Sequence, residues 1–324
     1  MTKRGGTVRR FVVSKLLQYV FVMFCTSVII FGLVRLGPTD PVSVILGGKQ
    51  STPATIANIR SQFGLDKPVL TQYVDWIGGM LHGDFGLSYQ YRQPVSLLLA
   101  QRLPTTLGIV VLATLIAIVI AIPAGVYTGA KQHSVSATVL SIIELVLVAC
   151  PPFLTGILMI WYLSTYMPGV AFTGSYNGWG EYFQRISLPA VCMAFSMIAL
   201  ISRMMERGMA DQLNSEYSMV ISAKGASRSR VIWAHCFKNA VIPVITVLGL
   251  QIGILMVGSA LVETVFSLPG VGTLLIDGVK AGDYGVVQAV TLLLVFVFMT
   301  ISTILDLVYG LIDPRIREGK GGDQ

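Results

Sequence analysis

Six apolar stretches constrain this chain more than anything else in it. They lie at roughly 11–36, 105–130, 137–165, 187–205, 241–265 and 286–309. Each is near the ~20 residues that carry an α-helix across a bilayer, or longer. Composition agrees: 54% of residues are hydrophobic, 12% are charged, and the mean hydropathy is +0.73. A soluble domain is roughly 45–50% apolar and about 25% charged. The sequence therefore predicts an all-α membrane protein with six transmembrane helices. Its net charge of +7 is not a nucleic-acid footprint, because the bases cluster beside the apolar spans.

Those bases also orient the spans. A basic start, Lys3, Arg4, Arg9, Arg10 and Lys15, leads into the first run, which lacks a small-residue cleavage site and is expected to stay as the first helix. Placing this cluster inside also places Lys131 inside, with Arg203, Arg207, Lys224, Arg228, Arg230 and Lys238, and the tail bases Arg315, Arg317 and Lys320. Short inner loops are then base-rich and short outer loops nearly neutral, as the positive-inside rule requires. Both termini are expected in the cytoplasm and the long polar loop 37–104 outside.

Catalytic and metal chemistry find little support. Cys25, Cys150, Cys192 and Cys236 form no close pair, and three of them lie in apolar runs, so they read as small hydrophobes. His82, His133 and His235 sit in three different loops without metal-ligand spacing. No G-x-x-x-x-G-K-[ST] phosphate loop, zinc motif, nucleophile elbow or G-x-G-x-x-G before a helix occurs. Glu144 and Asp306 are read as the acids inside spans, both nearer the cytoplasmic ends than mid-depth, which favours a structural role over a proton relay. A secondary transporter would need a mid-membrane ion site, usually with an internal repeat, and neither is evident.

Local signals mark three places. In the external loop, Val69, Tyr73, Trp76, Ile77 and Leu81 form an amphipathic pattern, followed by Gly83-Asp84-Phe85-Gly86-Leu87-Ser88. Gly83 and Gly86 bracket a turn that Asp84 and Ser88 can hold through side-chain bonds to backbone. An interfacial helix with a closing turn is one reading; docking and closure of the pore mouth is the other. In the third span, Pro151, Pro152, Phe153 and Gly156 predict a kinked helix, serving either packing or a transport path. Between the fourth and fifth spans, 216–243 carries Lys224, Arg228, Arg230 and Lys238 with Glu216 as its only acid. Apolar residues at helical spacing flank Gly225, which predicts two short helices with a turn between them. That stretch is either a membrane-surface element built to touch another protein or a solvated loop that fixes topology.

Glu216-Tyr217, Ala223-Lys224-Gly225, His235, Asn239 and Pro243 resemble the "AKG … H … N … P" form of the EAA loop. That loop belongs to the membrane subunits of ATP-binding-cassette importers, in the peptide and nickel branch. Ile221 and Met219 depart from that pattern, standing where the branch usually has a small and a basic residue. Gly64-Leu65-Asp66-Lys67-Pro68, Tyr73, Gly83-Asp84, Gly86, Ser88 and Pro94-Val95 look like the N-terminal region of the branch's B-type permease subunits. Glu263-Thr264-Val265-Phe266 with Pro269-Gly270 resembles the family's external segment before the last helix, with Leu268 and Gly285 as departures. Leu311-Ile312-Asp313-Pro314-Arg315-Ile316-Arg317 resembles the branch's ending.

The resemblance implies a type I importer permease fold. It divides the chain into a first helix with external loop (1–103), a five-helix permease core (104–313) and a cytoplasmic tail (314–324). It implies a non-catalytic pore subunit in a bacterial or archaeal cytoplasmic membrane. ATP and Mg would be bound by partner subunits and no cofactor by this one. The implied partners are a homologous second permease, two ATP-binding subunits, an extracytoplasmic substrate-binding protein and membrane lipid, with no nucleic acid. The substrate would be a di- or oligopeptide; nickel, glutathione or another small solute is the alternative. Glu216, Tyr217, Ala223, Lys224, Gly225, His235, Asn239 and Pro243 would then couple to the ATPase. Gly83, Asp84, Gly86, Ser88, Pro269 and Gly270 would serve the external gate or binding-protein docking. Pro151, Pro152, Phe153 and Gly156 would serve the path or a helix kink.

Overall fold

The computed structural model describes residues 3–36, 41–46, 51–62, 64–132, 134–167, 169 and 171–312. His133, the Asp306 side chain and the tail from Asp313 lie outside what is described. Among the described residues thirteen α-helices follow in order: α1 Lys3–Leu36, α2 Pro41–Ile45, α3 Pro53–Gln62, α4 Val69–Leu81, α5 Val95–Ala130, α6 Val135–Ala149, α7 Pro152–Tyr166, α8 Gly178–Leu213, α9 Glu216–Ala223, α10 Arg228–Arg230, α11 Phe237–Val265, α12 Val271–Ala281 and α13 Tyr284–Ile312. A single π-helical turn, Val231–Cys236, joins α10 to α11 without a break. Among the described residues the only β-pairing is an isolated bridge between Leu87 and Pro94.

Five of these helices are long and apolar enough to cross a bilayer, and α6 with α7 makes a bent sixth. The predicted third span is therefore not one kinked helix. Its two arms meet at 96°, and each arm has 15 residues, or about 22 Å at 1.5 Å per residue, short of a ~30 Å hydrocarbon core. The tandem proline explains the corner. A residue before proline is pushed out of the α region, and this applies to both Cys150 (ψ 114°) and Pro151 (ψ 137°). Two consecutive extended residues make a break where one interior proline would make a kink.

Two spans also outrun their apolar cores. The helix expected at 105–130 begins at Val95 and continues through Pro104, and the one expected at 187–205 runs from Gly178 to Leu213. These two helices pack most extensively in the bundle. Ala113, Ala117, Ala121, Gly125 and Gly129 recur every fourth residue and form one buried stripe on α5. A Cβ on Gly125 would lie 2.6 Å from the Met205 Cβ, and one on Gly129 would lie 2.7 Å from the Glu206 carbonyl oxygen. The backbones thus approach to a distance only small residues permit, which is how membrane helices pack where hydrophobicity gives no preference for protein over lipid. At the other extreme, α1 packs mainly on α13, with Tyr19 meeting Phe296 edge-on at 6.0 Å.

Candidate functional site

The basic hairpin between α8 and α11 sits at the Ala130 end of α5. Ser215 caps α9, its hydroxyl accepting from the Ser218 N–H. Gly225 follows α9 with φ +86° and donates its N–H to the Ser222 carbonyl at 3.0 Å. This left-handed residue just past the helix end is the reversal that the sequence predicts there. The second predicted short helix is instead the start of a 38-residue helix, Arg228–Val265, that runs on into the membrane. A rigid rod therefore connects the hairpin to the bundle interior.

The π turn sets what faces what. In an α-helix, residues five apart point about 140° away from each other. The wider π turn brings Val231 and Cys236 onto one face, and both are buried. His235 then faces α9, where its Nδ1 lies 3.1 Å from the Tyr217 hydroxyl. Asn239 donates from Nδ2 to Gln212 Oε1 of α8 at 3.2 Å. Arg228, read from sequence as one of the bases of this stretch, donates from its guanidinium to the Ala130 carbonyl at 3.0 Å and so caps the C-terminus of α5. Of the predicted coupling residues, Glu216, Tyr217, Ala223, Lys224 and Gly225 share this hairpin, and His235 is tied to it. Pro243 lies two turns further along α11 and makes no part of the hairpin surface. Beside these residues, Tyr217, Met219, Val220 and Trp233 are large, apolar or aromatic, and more than half exposed.

At the opposite end of the bundle the predicted turn forms as expected. Gly83 and Gly86 have φ of +82° and +80°, and Asp84 Oδ1 accepts from the Gly86 N–H at 2.9 Å. Asp84 is exposed while Ser88 is fully buried. The Ser88 hydroxyl donates to Asp283 Oδ2 at 2.5 Å and accepts from the Tyr91 N–H at 2.9 Å. The same Asp283 oxygen accepts from the Gln90 N–H at 3.1 Å. Burial pushes the neighbouring Tyr89 phenol up to about 12, with the Asp283 charge adding to the shift. This clasp fastens the loop to the turn between α12 and α13. Removing its acceptor leaves buried donors unpaired, each costing on the order of 1–3 kcal/mol. Asp283→Ala is therefore expected to speed proteolytic cleavage within 64–94 in membrane preparations, with Asp283→Asn affected less. Cleavage at the wild-type rate would show that the clasp does not hold the loop.

Pro269 and Gly270 lie beneath that surface, and Gly270 is buried. What organises them is Glu263, fully buried near the end of α11. Its Oε1 accepts from the Thr106 hydroxyl at 2.6 Å and the Ser259 hydroxyl at 3.0 Å, and its Oε2 accepts from the Thr273 N–H at 3.0 Å. The Thr106 oxygen in turn accepts from the Val271 N–H at 2.9 Å. Two N–H groups of the first turn of α12 are thereby satisfied, and a carboxylate faces the positive end of that helix. A Cβ on Gly270 would collide with the Glu263 carboxylate.

Gly156 of the proline-bearing segment is a close-approach residue. A Cβ there would lie 2.8 Å from the ring of fully buried Phe266, whereas Phe153 is exposed. Glu144 is buried and accepts from the Ser202 hydroxyl of α8.

Helices long enough to cross a membrane, a basic hairpin at one end and a clasped polar loop at the other define a multi-pass membrane protein. Residues 117–318 match the family described as the binding-protein-dependent transport system inner membrane component, and residues 8–110 match the N-terminal family of the same membrane component. The chain belongs to this family and is a multi-pass protein of the cytoplasmic membrane. It is 33% identical to a probable peptide ABC transporter permease protein of Sinorhizobium fredii, over 95% of this chain and 99% of that one. It is equally identical to the dipeptide transport system permease protein DppB of Escherichia coli K12, over 91% and 94%. The same identity relates it to the glutathione transport system permease protein GsiC of Escherichia coli O1:K1, over 95% and 98%.

Proposed function

We propose that this chain is one permease half of an ATP-driven importer for di- or oligopeptides, coupled to its ATPase through the hairpin at 216–243. The observation that carries this is the hairpin's composition. Tyr217, Met219, Val220 and Trp233 are exposed on a segment that also presents Lys224 and Arg230, at the end of a rod 38 residues long. Exposed large apolar groups in a polar rim are what a docking surface consists of. A rod that continues from that surface into the bundle transmits a displacement where a flexible loop would absorb it. On this reading ATP and Mg are bound by two partner ATP-binding subunits and this subunit is non-catalytic, in keeping with a sequence that shows no phosphate loop. A homologous second permease completes the path, and an extracytoplasmic binding protein delivers substrate to the clasped loop, where Asp84 is exposed. ATP-driven closure of the partner subunits then biases a two-state bundle between inward- and outward-open forms.

The test is reconstitution. In proteoliposomes, this chain with its co-purified partners is expected to take up labelled dipeptide only with ATP and binding protein, while the chain alone hydrolyses no ATP above a mock preparation. Turnover by the isolated chain would overturn the reading. Saturable uptake of glutathione or nickel in place of peptide would keep the transport class and replace the substrate.

Orientation follows from the bases: both termini inside and 37–104 outside. Ser51→Cys is expected to react with an impermeant thiol reagent on intact cells. Reaction only after lysis would invert the topology.

A further inference from the structure

The helix α4 carries three stripes where an ordinary surface helix carries two. Tyr73, Trp76 and Met80 face the protein. Tyr73 and Trp76 pack on Phe31 of α1 at ring distances of 5.1 and 5.4 Å, and Met80 packs on the bundle core. The Tyr73 hydroxyl bonds Ser27 at 2.7 Å, and Gln72 at the edge of this stripe accepts from Arg35 at 2.5 Å. Thr71, Asp75 and Gly78, at the i, i+4, i+7 spacing of one helix face, form a polar stripe, with Asp75 paired to exposed Lys67 at 2.7 Å. Between them run Leu70, Val74, Ile77 and Leu81, again at i, i+4, i+7, i+11. Leu70 is 74% exposed and Leu81 is 81% exposed.

The depth of this helix identifies what covers the apolar stripe. Its contacts on α1 fall at residues 27, 31 and 35, within the last ten residues of a span that ends at Leu36. At 1.5 Å per residue, Ser27 lies about 14 Å below that end, inside the hydrocarbon, and Phe31 lies about 7 Å below it, near the headgroup boundary. At the same level α1 exposes Val28, Ile29 and Leu33, so the stripe on α4 continues an exposed apolar surface of a membrane span. One stripe meets protein, and the two exposed stripes have the chemistry that suits lipid on one side and water on the other.

We propose that α4 is a membrane-surface helix, with Leu70, Val74, Ile77 and Leu81 inserted into the acyl region of the leaflet around the Leu36 end of α1. The bilayer then fixes the height of the Gly83–Ser88 turn, which begins two residues after α4 ends. This holds for either orientation of the chain in the membrane and does not depend on the substrate.

The test uses the full transporter complex in phosphatidylcholine–phosphatidylglycerol nanodiscs. Spin labels are placed at Leu70→Cys, Val74→Cys, Thr71→Cys and Asp75→Cys, one at a time, with Cys25, Cys150, Cys192 and Cys236 replaced by alanine. Collision with oxygen, which concentrates in lipid, is compared with collision with a water-soluble nickel chelate. Labels at 70 and 74 are expected to favour oxygen severalfold, and labels at 71 and 75 the chelate. Labels at 70 and 74 that favour the chelate place the stripe in water and overturn the proposal. Protection from both reagents means a protein covers it, which also overturns it. Where the cysteine-free chain does not assemble, Val74→Trp in the native background is read with dibrominated phospholipid and with iodide. A new component quenched by bromolipid supports the proposal, and one quenched by iodide overturns it.

Discussion

Glu263→Ala is expected to lower the melting midpoint of the detergent-solubilised complex and to abolish most uptake, although its carboxylate touches neither the hairpin nor the exposed loop. Three donors converge on this carboxylate: the Thr106 and Ser259 hydroxyls and the Thr273 N–H. Alanine leaves the Thr106 hydroxyl and the Thr273 N–H without an acceptor, while the Ser259 hydroxyl turns to the Met256 carbonyl at 3.0 Å, and it opens a void between α5, α11 and α12. An unsatisfied buried donor costs about 1–3 kcal/mol, so the total is on the order of 3 kcal/mol after partial relaxation. At roughly 2 °C per kcal/mol for a chain of this size, the midpoint falls by about 6 °C. Glu263→Gln separates charge from shape. Its amide oxygen can serve Thr106 and Ser259, but its NH2 then meets the Thr273 N–H, donor against donor, so an intermediate midpoint is expected. Gly270→Ala reaches the same carboxylate from the other side by steric collision and is expected to resemble Glu263→Ala. A midpoint for Glu263→Ala within about 1 °C of wild type would show that α12 does not depend on this anchor.

The clasp and the anchor lie at the end of the bundle opposite the basic hairpin. Ser88 and Asp283 join the loop to the start of α13, while Glu263 and Thr106 join α5 and α11 to α12. These helices cannot separate there without breaking buried hydrogen bonds.

Much of this arrangement was legible from residue pattern, and what was missed has identifiable causes. The spans were readable because lipid demands ~20 apolar residues, and the left-handed glycines at 83, 86 and 225 were readable because their neighbours predict chain reversal. Helix ends were not readable. The ends of α8, with Glu181, Arg185, Glu206 and Asp211, are polar because they are helix in water, and polarity alone does not distinguish helix from loop. The break in the third span was present in the sequence as Pro151-Pro152. Applying the pre-proline restriction to Pro151 itself gives a corner rather than a kink. The alanine–glycine stripe of α5 shows no apolar periodicity because most positions around it are apolar too. Glu263 was legible only as part of the external segment's motif, because near the end of its apolar run an acid reads as the start of a loop; its anchoring role needs the fold, which brings Thr106 and Thr273 to it. The π turn has no composition signal, and it alone turns His235 toward Tyr217.

Gly225→Val is expected to insert and to pair with its partner permease at wild-type levels, yet to transport at about a tenth of the wild-type rate or less. Gly225 has φ +86°, where an L side chain costs roughly 1–2 kcal/mol. No heavy atom lies within 4 Å of the position a Cβ would take, so the penalty is backbone strain and not a collision. The strain cannot spread into the bundle, because the hairpin is held there by separate bonds, Arg228 to Ala130 and Asn239 to Gln212. It acts on the path of the chain between α9 and α10, the one adjustable joint in an otherwise rigid element. A cost of about 1.4 kcal/mol shifts a two-state population about tenfold, which empties the docking position of α9 when the docked form is favoured by only a few-fold, and Tyr217 then loses its bond to His235. Gly225→Asn is the control. Asparagine enters the left-handed region more readily than valine, and the space around the position is open, so this variant is expected to retain most of the transport. The measurements are peptide uptake and co-purification of the ATP-binding subunits at matched membrane levels. Equal loss in Gly225→Asn and Gly225→Val would mean that the glycine is needed for its lack of a side chain at the docked surface. Full transport by Gly225→Val would remove the hairpin from the coupling path.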